Sequence, residues 1–303
     1  MRIDDILENC DEPVFSFEFF PPKTEDGERN LRAALAALRP LEPDFASVTY
    51  GAGGSSRDKT VGLTKWLKQE LGIEAMAHLS CVGCTREELT ATLDGIADAG
   101  VENVLALRGD PPRGQPDWRP HPGGLSYSTE LIELITRRYP FAVGAACFPE
   151  THPEAPDQAT DLHFLRSKVY AGSSFLITQL FFDNELYFRF VEEARQVGIE
   201  VPIIPGIMPI TDVKQIKTIT GMCGATIPES LLRQLELRAE HPDAVQDLGV
   251  SYATLQCAEL LARGAPGIHF YTLNRSPATR AILSALKLLR PWVRREVVRA
   301  PAG

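Results

Sequence analysis

Glu18 is a carboxylate set among phenylalanines in the segment FSFEFF, residues 15–20. Alternation along a strand places Glu18 with Ser16 and Phe20 on one face and the other phenylalanines on the opposite face. A carboxyl group near aromatic rings and a strand end is partly desolvated, which favours its protonated form. Glu18 therefore suits the role of a general acid near neutral pH, with a salt bridge at the strand end as the alternative.

Charged and amide side chains also stand at the ends of other apolar segments. Arg108 and Asp110 bracket Gly109 in ALRGD, and a glycine permits a close approach of the backbone to a ligand. Gln179 interrupts LITQLFF, so its amide needs a partner in the core or in a ligand. Arg275 follows IHFYTLN, where a guanidinium suits a carboxylate or a phosphate.

Two cysteines suggest a different chemistry. Cys81 and Cys84 form a CxxC pair, which could build a metal site at a barrel mouth with His78, Cys147 and His152. One such pair alone is a weak zinc signal, and reduced thiols packed at a strand end are the simpler interpretation.

Eight short apolar segments, each followed by a helix-like stretch, must position these side chains. They are FSFEFF, FASVTYG, AMAHLSC, NVLALRGD, VGAACFPE, LITQLFF, PIIPGIMP and IHFYTLNR. The alternation predicts an α/β fold, a (β/α)8 TIM barrel, whose active site lies at the C-terminal ends of the strands. GAGGSS, after the second segment, lacks the third glycine of a dinucleotide-binding fingerprint, although the helix start there can hold an anion. About three helices are expected between strands seven and eight, within one domain spanning residues 1–303.

The composition excludes several classes of function. A net charge of −9 argues against a nucleic-acid partner, which would favour a basic face. No apolar run approaches the roughly 20 residues that span a bilayer. The N-terminus MRIDDILENCDEP lacks the apolar region of a signal peptide, and the six cysteines are unevenly placed. We therefore expect a cytoplasmic protein with reduced thiols and no membrane association.

The ordered motifs closely resemble those of the 5,10-methylenetetrahydrofolate reductase family, in its bacterial single-domain form. They are SFEFFPPK, SVTYGA, AHLSC, ALRGDPP, FPETHPE, ITQLFFD, PGIMPI and HFYTLNRSPATR, and they cover about residues 15–289. The resemblance implies one non-covalent FAD in a single catalytic barrel, with NADH or NADPH as co-substrate. It implies reduction of methylenetetrahydrofolate to 5-methyltetrahydrofolate for methionine synthesis, and a homo-oligomer, either dimer or tetramer. The regulatory domain of eukaryotic members is expected to be absent.

The resemblance also assigns roles to residues of this chain. Glu18 matches the general acid, and Asp110 matches a carboxylate that stabilises a cationic folate intermediate. Positions that line the flavin, and in part the nicotinamide, are matched by Thr49, Tyr50, Ala52, His78, Arg108, Gly109, Asp110, Tyr127, Ser128, Phe148, His152, Asp161 and Lys168. Contacts to folate or nicotinamide are matched by Gln179, Gln215 and Arg275.

Four positions depart from the family pattern. Phe148, Phe164 and Ser167 replace polar residues found in members, so FAD binding weaker than in relatives is expected. Ile219 stands where an aromatic residue can stack on the substrate. A metal-dependent barrel and a non-catalytic barrel remain the alternative functions, and the joint presence of Glu18, Asp110 and Gln179 argues against the second.

Overall fold

The computed structural model describes residues 1–50, 57–109 and 121–293, with the side chain of Arg57 excepted. Its strands are β1 Val14–Phe19, β2 Phe45–Val48, β3 Ala75–Ser80, β4 Asn103–Leu107, β5 Ala142–Cys147, β6 Phe175–Thr178, β7 Ile203–Ile204, β8 Gly206–Ile207 and β9 Gly267–Tyr271. Its helices are α1 Ile3–Asn9, α2 Glu25–Leu38, α3 Arg57–Gln69, α4 Arg86–Asp98, α5 Ser128–Arg138, α6 Gln158–Tyr170, α7 Asn184–Gln196, α8 Val213–Cys223, α9 Glu229–Glu236, α10 Pro242–Ala262 and α11 Pro277–Leu289. Ala52 and Asp110 lie outside the described residues.

The strands form one parallel sheet in the order β7-β6-β5-β4-β3-β2-β1-β9-β8. The two strands at the ends of this order are consecutive along the chain, because Pro205 divides the predicted seventh strand into β7 and β8. β7 pairs with β6 and β8 pairs with β9, so the sheet closes on itself through Pro205. The predicted TIM-like barrel is confirmed, with its seventh strand broken in two.

Alternation along the strands separates a barrel interior from an outer core. The phenylalanines at 15, 17 and 19 pack outward in a large apolar cluster with the helices. Val14 belongs to a second cluster, with Phe45, Met76 and other buried residues. Because Ser16 and Glu18 share the parity of Val14, they point into the barrel. This arrangement gives β1 one polar, inward face at its C-terminal end.

Helix α1 was not predicted from the sequence, and it belongs to the N-terminal end of the barrel. Ile3 is fully buried in the Val14 cluster, and its backbone N–H donates to Asn103 Oδ1 at 2.7 Å. Burial of such a side chain contributes about 2 kcal/mol. The helix therefore covers the end of the barrel opposite the polar strand ends.

The three helices expected between the last two strands of the barrel are α8, α9 and α10, as predicted. They share a separate apolar cluster that includes Leu180, Met208 and Leu235. The backbone N–H of Thr226 donates to Glu150 Oε1 at 3.0 Å, which ties the α8–α9 connection to the loop after β5. Within the described ranges, no helix combines the length and the apolar character that a membrane crossing requires.

Candidate active site

Glu18 lies near the C-terminal end of β1, with its carboxylate between two imidazoles. His78 of β3 and His269 of β9 each place Nε2 3.6 Å from the same oxygen, Glu18 Oε2. The Glu18 side chain keeps 14% of its surface exposed, whereas His269 is fully buried. We call Ser16, Glu18, His78 and His269 the acid cluster. It brings one partly accessible carboxyl group close to two buried histidines.

His269 is the member of this cluster that the sequence analysis missed. Its Nδ1 lies 2.7 Å from Ser16 Oγ, and its ring stacks on Phe45 at 6.0 Å between centroids. In the pairing of β1 with β9, His269 lies directly beside Ser16, and Tyr271 lies beside Glu18. The sequence shows a histidine in an apolar segment, but it predicts this contact only if the pairing of the two strands is already known.

Burial sets the protonation of His78. Desolvation lowers the pKa of His78 to about 4, with Glu18 acting in the opposite direction and His269 in the same one. His78 is therefore neutral near pH 7. Burial likewise raises the pKa of Tyr271 well above its usual value, and the Glu18 charge adds to this effect. Near pH 7, His78 and Tyr271 therefore add no charge beside the Glu18 carboxyl group.

A second group of side chains follows β4 and β5. Arg108 Nη2 donates to Glu154 Oε1 at 2.7 Å, and this partner lowers the pKa of Glu154. Lys168 Nζ donates to the carbonyl of Ala146 at 3.0 Å and forms no ion pair with any described residue. Burial lowers the pKa of Lys168. We call Arg108, His152 and Lys168 the basic cluster.

His152 is oriented by three contacts. Its backbone N–H donates to Asp161 Oδ2 at 2.8 Å, and its Nδ1 accepts from the backbone N–H of Glu154 at 3.0 Å. The edge of its ring contacts Phe148 at 4.5 Å between centroids. Because Nδ1 is an acceptor, the neutral ring carries its proton on Nε2. Asp161 and Phe148 therefore hold His152 in place.

Gly109, at the end of the β4 segment, is required by its surroundings. Its φ is +84°, and a Cβ there would lie 2.0 Å from Ser80 Oγ. That hydroxyl donates to the carbonyl of Arg108 at 2.9 Å. The chain can therefore pass closely over the end of β3 only with a glycine at this position.

The other predicted site residues lie at the same end of the barrel, and no described contact joins them to Glu18. Thr49 follows β2 and donates its backbone N–H to Phe19 O at 2.8 Å. Gln179 follows β6, where its Oε1 accepts from the N–H of Leu180 at 2.9 Å. Tyr50 is half-buried, Ser128 is buried, and Tyr127 and Gln215 are exposed.

A cavity of about 970 Å³ lies beside the ends of β1 and β9. Lys23 and Arg275 line it, together with Gln246 and Tyr271, and none of the described residues in its lining is a carboxylate. The amide of Asn274 locks the two loops together, accepting from Phe20 N at 2.9 Å and donating to Phe20 O at 2.8 Å. The cavity therefore offers positive charge on a wall that is fixed to β1.

The cysteines do not form the metal site considered above. Cys81, Cys84 and Cys147 are buried thiols, and burial raises the pKa of Cys81 to about 12. In residues 1–50, 57–109 and 121–293, no three His, Cys, Asp or Glu side chains come together as a possible metal site. The metal-dependent alternative has no geometric support in that part of the chain.

Known proteins resemble this chain along most of its length. The family model for methylenetetrahydrofolate reductase matches residues 2–287. Methylenetetrahydrofolate reductase (NADH) 1 of Arabidopsis thaliana is 39% identical over 303 residues, covering 95% of this chain and 51% of the plant protein. The chain thus spans about half the length of this relative. The 5,10-methylenetetrahydrofolate reductase of Escherichia coli is 37% identical over 273 residues, covering 89% of this chain and 90% of that protein.

A solved structure supports the fold independently. A protein from Clostridium thermocellum that binds two copies of 5-methyl-5,6,7,8-tetrahydrofolic acid superposes with a TM-score of 0.65 at 16% identity. The match covers 94% of this chain and 99% of that one. At this identity it bears on the fold alone. The family match and the bacterial relative, which agree over nearly all of the chain, show that it belongs to the methylenetetrahydrofolate reductase family.

Proposed function

We propose that this chain reduces 5,10-methylenetetrahydrofolate to 5-methyltetrahydrofolate, with electrons from NADH or NADPH and with FAD as the bound cofactor. The observation that carries the proposal is Glu18, a partly accessible carboxyl group between His78 and His269 at the active end of the barrel. The chemistry needs a proton donor in a largely dry site, and this carboxyl group meets that need. Family membership supports the choice of substrate.

The basic cluster fits the diphosphate of FAD. Lys168 has only a carbonyl partner among the described residues, so its ammonium is available to an anion. His152 presents Nε2–H, and Gly109 lets the backbone approach a flat ring closely. Thr49, Tyr50, His78, Tyr127, Ser128 and Asp161 are the other described residues that we assign to this cofactor. Bound FAD supplies hydride transfer between the two substrates, which would therefore occupy the site in turn.

Glu18 performs the acid step on the folate. Its proton passes to a nitrogen of the five-membered ring, and the bond from that nitrogen to the bridging carbon breaks. The electron pair of that bond stays on the nitrogen, which leaves an iminium cation at the bridging carbon and a carboxylate at Glu18. Asp110, outside the described residues, stays the predicted partner of this cation.

The cavity beside β1 and β9 fits the tail of the folate. Folates carry carboxylates on a glutamate tail, and Arg275 and Lys23 are the cations in the cavity wall. The guanidinium of Arg275 can bind a carboxylate through two hydrogen bonds. Gln179 and Gln215 are the polar side chains that we assign to the substrate on the segments that follow β6 and β8.

Two broader expectations belong to this proposal. The product would supply methyl groups for methionine synthesis, and the catalytic unit would be one barrel domain over residues 1–303, assembled as a dimer or tetramer. Phe148 contacts His152 with a ring that lacks a hydroxyl group, and Phe164 is exposed on α6. Both substitutions remain consistent with FAD binding that is weaker than in relatives.

An anaerobic assay tests the proposal. The protein is saturated with FAD, desalted, and mixed with NADH or NADPH, and the folate product is then identified by chromatography after addition of methylenetetrahydrofolate. We expect a visible flavin spectrum, its bleaching by the nicotinamide and formation of 5-methyltetrahydrofolate. A protein that retains flavin and oxidises NADH without forming this product would contradict the proposed substrate.

A further inference from the structure

We infer that His269, held by Ser16, is a positioning residue that fixes the acidic proton of Glu18 on Oε1, the oxygen turned away from the two imidazoles. This inference rests on the proposed function for its catalytic meaning, while its structural part concerns the protein alone. The family assignment does not require it. It starts from two buried nitrogens that lack partners.

The Nε2 atoms of His78 and His269 are buried and have no hydrogen-bond partner among the described residues. Burying a polar nitrogen without a hydrogen-bond partner costs free energy, so two such atoms in one site call for a functional explanation. Both atoms face Glu18 Oε2 at 3.6 Å, a separation slightly longer than a hydrogen bond. Catalytic hydrogen bonds are often long in unliganded sites and shorten when substrate binds.

Ser16 decides the tautomer of His269. The Ser16 side chain is fully buried, and within the described part of the chain its hydroxyl forms a hydrogen bond only with His269 Nδ1, at 2.7 Å. If Nδ1 carried the proton, the hydroxyl hydrogen of Ser16 would have no acceptor. A hydroxyl that donates to Nδ1 satisfies both groups and places the imidazole proton on Nε2. His269 therefore presents an N–H to Glu18 Oε2.

The Nε2–H of His269, directed at Oε2, gives the two oxygens of Glu18 different roles. When substrate binding shortens this contact, Oε2 accepts from His269 whether the carboxyl group is protonated or ionised, so the proton is carried by Oε1. When that proton leaves for the substrate nitrogen, the negative charge left on the carboxylate is stabilised at Oε2 by the same N–H. His269 thereby favours transfer of the Glu18 proton to the substrate.

In the part of the chain that the structure describes, the groups facing Glu18 come from three elements. They are His78 of β3, and His269 and Tyr271 of β9, with Ser16 behind His269 on β1. His78 is neutral across the working range because burial lowers its pKa to about 4. Tyr271 is also neutral there, since burial raises its pKa. Neither His78 nor Tyr271 therefore changes its charge in the range over which the pH profile is measured.

Histidine NMR tests the structural part in the free protein. With ¹⁵N-labelled histidine, long-range ¹H–¹⁵N spectra distinguish Nε2–H from Nδ1–H, and loss of one signal set in His269→Gln identifies His269. We expect Nε2–H in the unsubstituted protein and a mixture of tautomers in Ser16→Ala. Ser47→Ala is the matched control, because Ser47 is equally buried but its Oγ has no hydrogen-bond partner among the described residues. Nδ1–H at His269 in the unsubstituted protein would overturn the inference.

Single-turnover folate reduction at several pH values tests the catalytic part. In His269→Leu, the pH above which the reaction slows should rise by about 1–2 pH units, the size expected for a lost hydrogen bond to a charged group. His269→Gln, which keeps an N–H donor, should restore most of the shift, and reduction of the flavin by NADH is measured in each variant so that any change in the first half-reaction is separated from the folate step.

An unchanged pH profile in His269→Leu would overturn the catalytic part, and would indicate that the proton lies on Oε2 facing His78. If the unsubstituted protein reduces no folate, the proposed function fails. The tautomer measurement then still decides the inference about Ser16 and His269.

Discussion

The acid cluster and the basic cluster lie at the same end of one barrel, but they are built differently. Glu18 and His269 stand within strands, and parallel pairing of β1 with β9 fixes their separation. In the basic cluster Lys168 stands on α6, whereas Arg108 and His152 stand in the segments that follow β4 and β5. Arg108 pairs with Glu154, which is largely exposed. Groups on strands are held in place before any ligand arrives, whereas groups on loops depend more on the ligand. We therefore expect the first cluster to govern rate and the second to govern affinity.

The largest effect should come from Glu18→Gln. Without a proton donor the folate half-reaction should slow by about 10²–10⁴-fold, while reduction of the flavin by NAD(P)H remains largely intact. Stopped-flow traces of the two half-reactions separate these effects. An equal loss in both would show that Glu18 supports the structure of the site and does not act as its acid.

His78→Gln should change how stability depends on pH. Unfolded His78 takes up a proton below its ordinary pKa of 6.5, whereas the folded residue does so only near 4. The unfolded state therefore binds more protons between these values, and the free energy of unfolding falls as pH drops through that range. At pH 4 the decrease in the free energy of unfolding that His78 causes amounts to about 3 kcal/mol, and His78→Gln should not show this decrease. Urea titrations at pH 7 and pH 4.5 check the difference, and the same pH dependence in both proteins would contradict a buried neutral His78.

Lys168→Met should weaken FAD binding by about 10–100-fold, the range expected for one charge-assisted hydrogen bond. Lys65→Met on α3 is the control, since Lys65 is exposed and makes no ion pair with a described residue. Fluorescence titration of FAD gives both dissociation constants. Equal affinities in the two variants would remove Lys168 from the cofactor site.

The smallest effect should follow Phe148→Tyr. The ring of Phe148 already lies against His152, so a hydroxyl group can be added at the edge of the site with little repacking. One added hydrogen bond corresponds to about a 3–10-fold gain in FAD affinity. The same titration measures it, and a loss of affinity would show that the site is shaped around phenylalanine.

The sequence predicts most of this fold, because its signals are local. Thr85 and Glu88 form the capping box that starts a helix, and the structure has both of its hydrogen bonds. Alternation placed Glu18 on the face of β1 opposite Phe15, Phe17 and Phe19, and the structure shows that this face points into the barrel. Helix α1 lacks such a signal, since it has only seven residues and Ile3 is buried by strands distant in sequence. Burial against remote residues cannot be inferred from a local pattern.

The site is less predictable than the fold for the same reason. His269 was visible as a polar residue in an apolar segment, but its contacts with Ser16 and Glu18 require the pairing of the first and last strands. The ion pair between Arg108 and Glu154 joins two successive loops whose conformations have no periodic signal. Motif resemblance supplied the residues of the basic cluster, and the structure supplied their contacts.

A paired measurement on Glu18→Gln and Lys168→Met tests the central claim most directly. FAD affinity and the folate half-reaction at saturating FAD are measured in both variants and in the unsubstituted protein. We expect Glu18→Gln to keep its FAD affinity and lose the folate half-reaction, and Lys168→Met to lose affinity but react normally once saturated. If Glu18→Gln weakens FAD binding as much as Lys168→Met does, or if both variants lose the folate half-reaction equally, the division between an acid cluster for rate and a basic cluster for affinity is wrong.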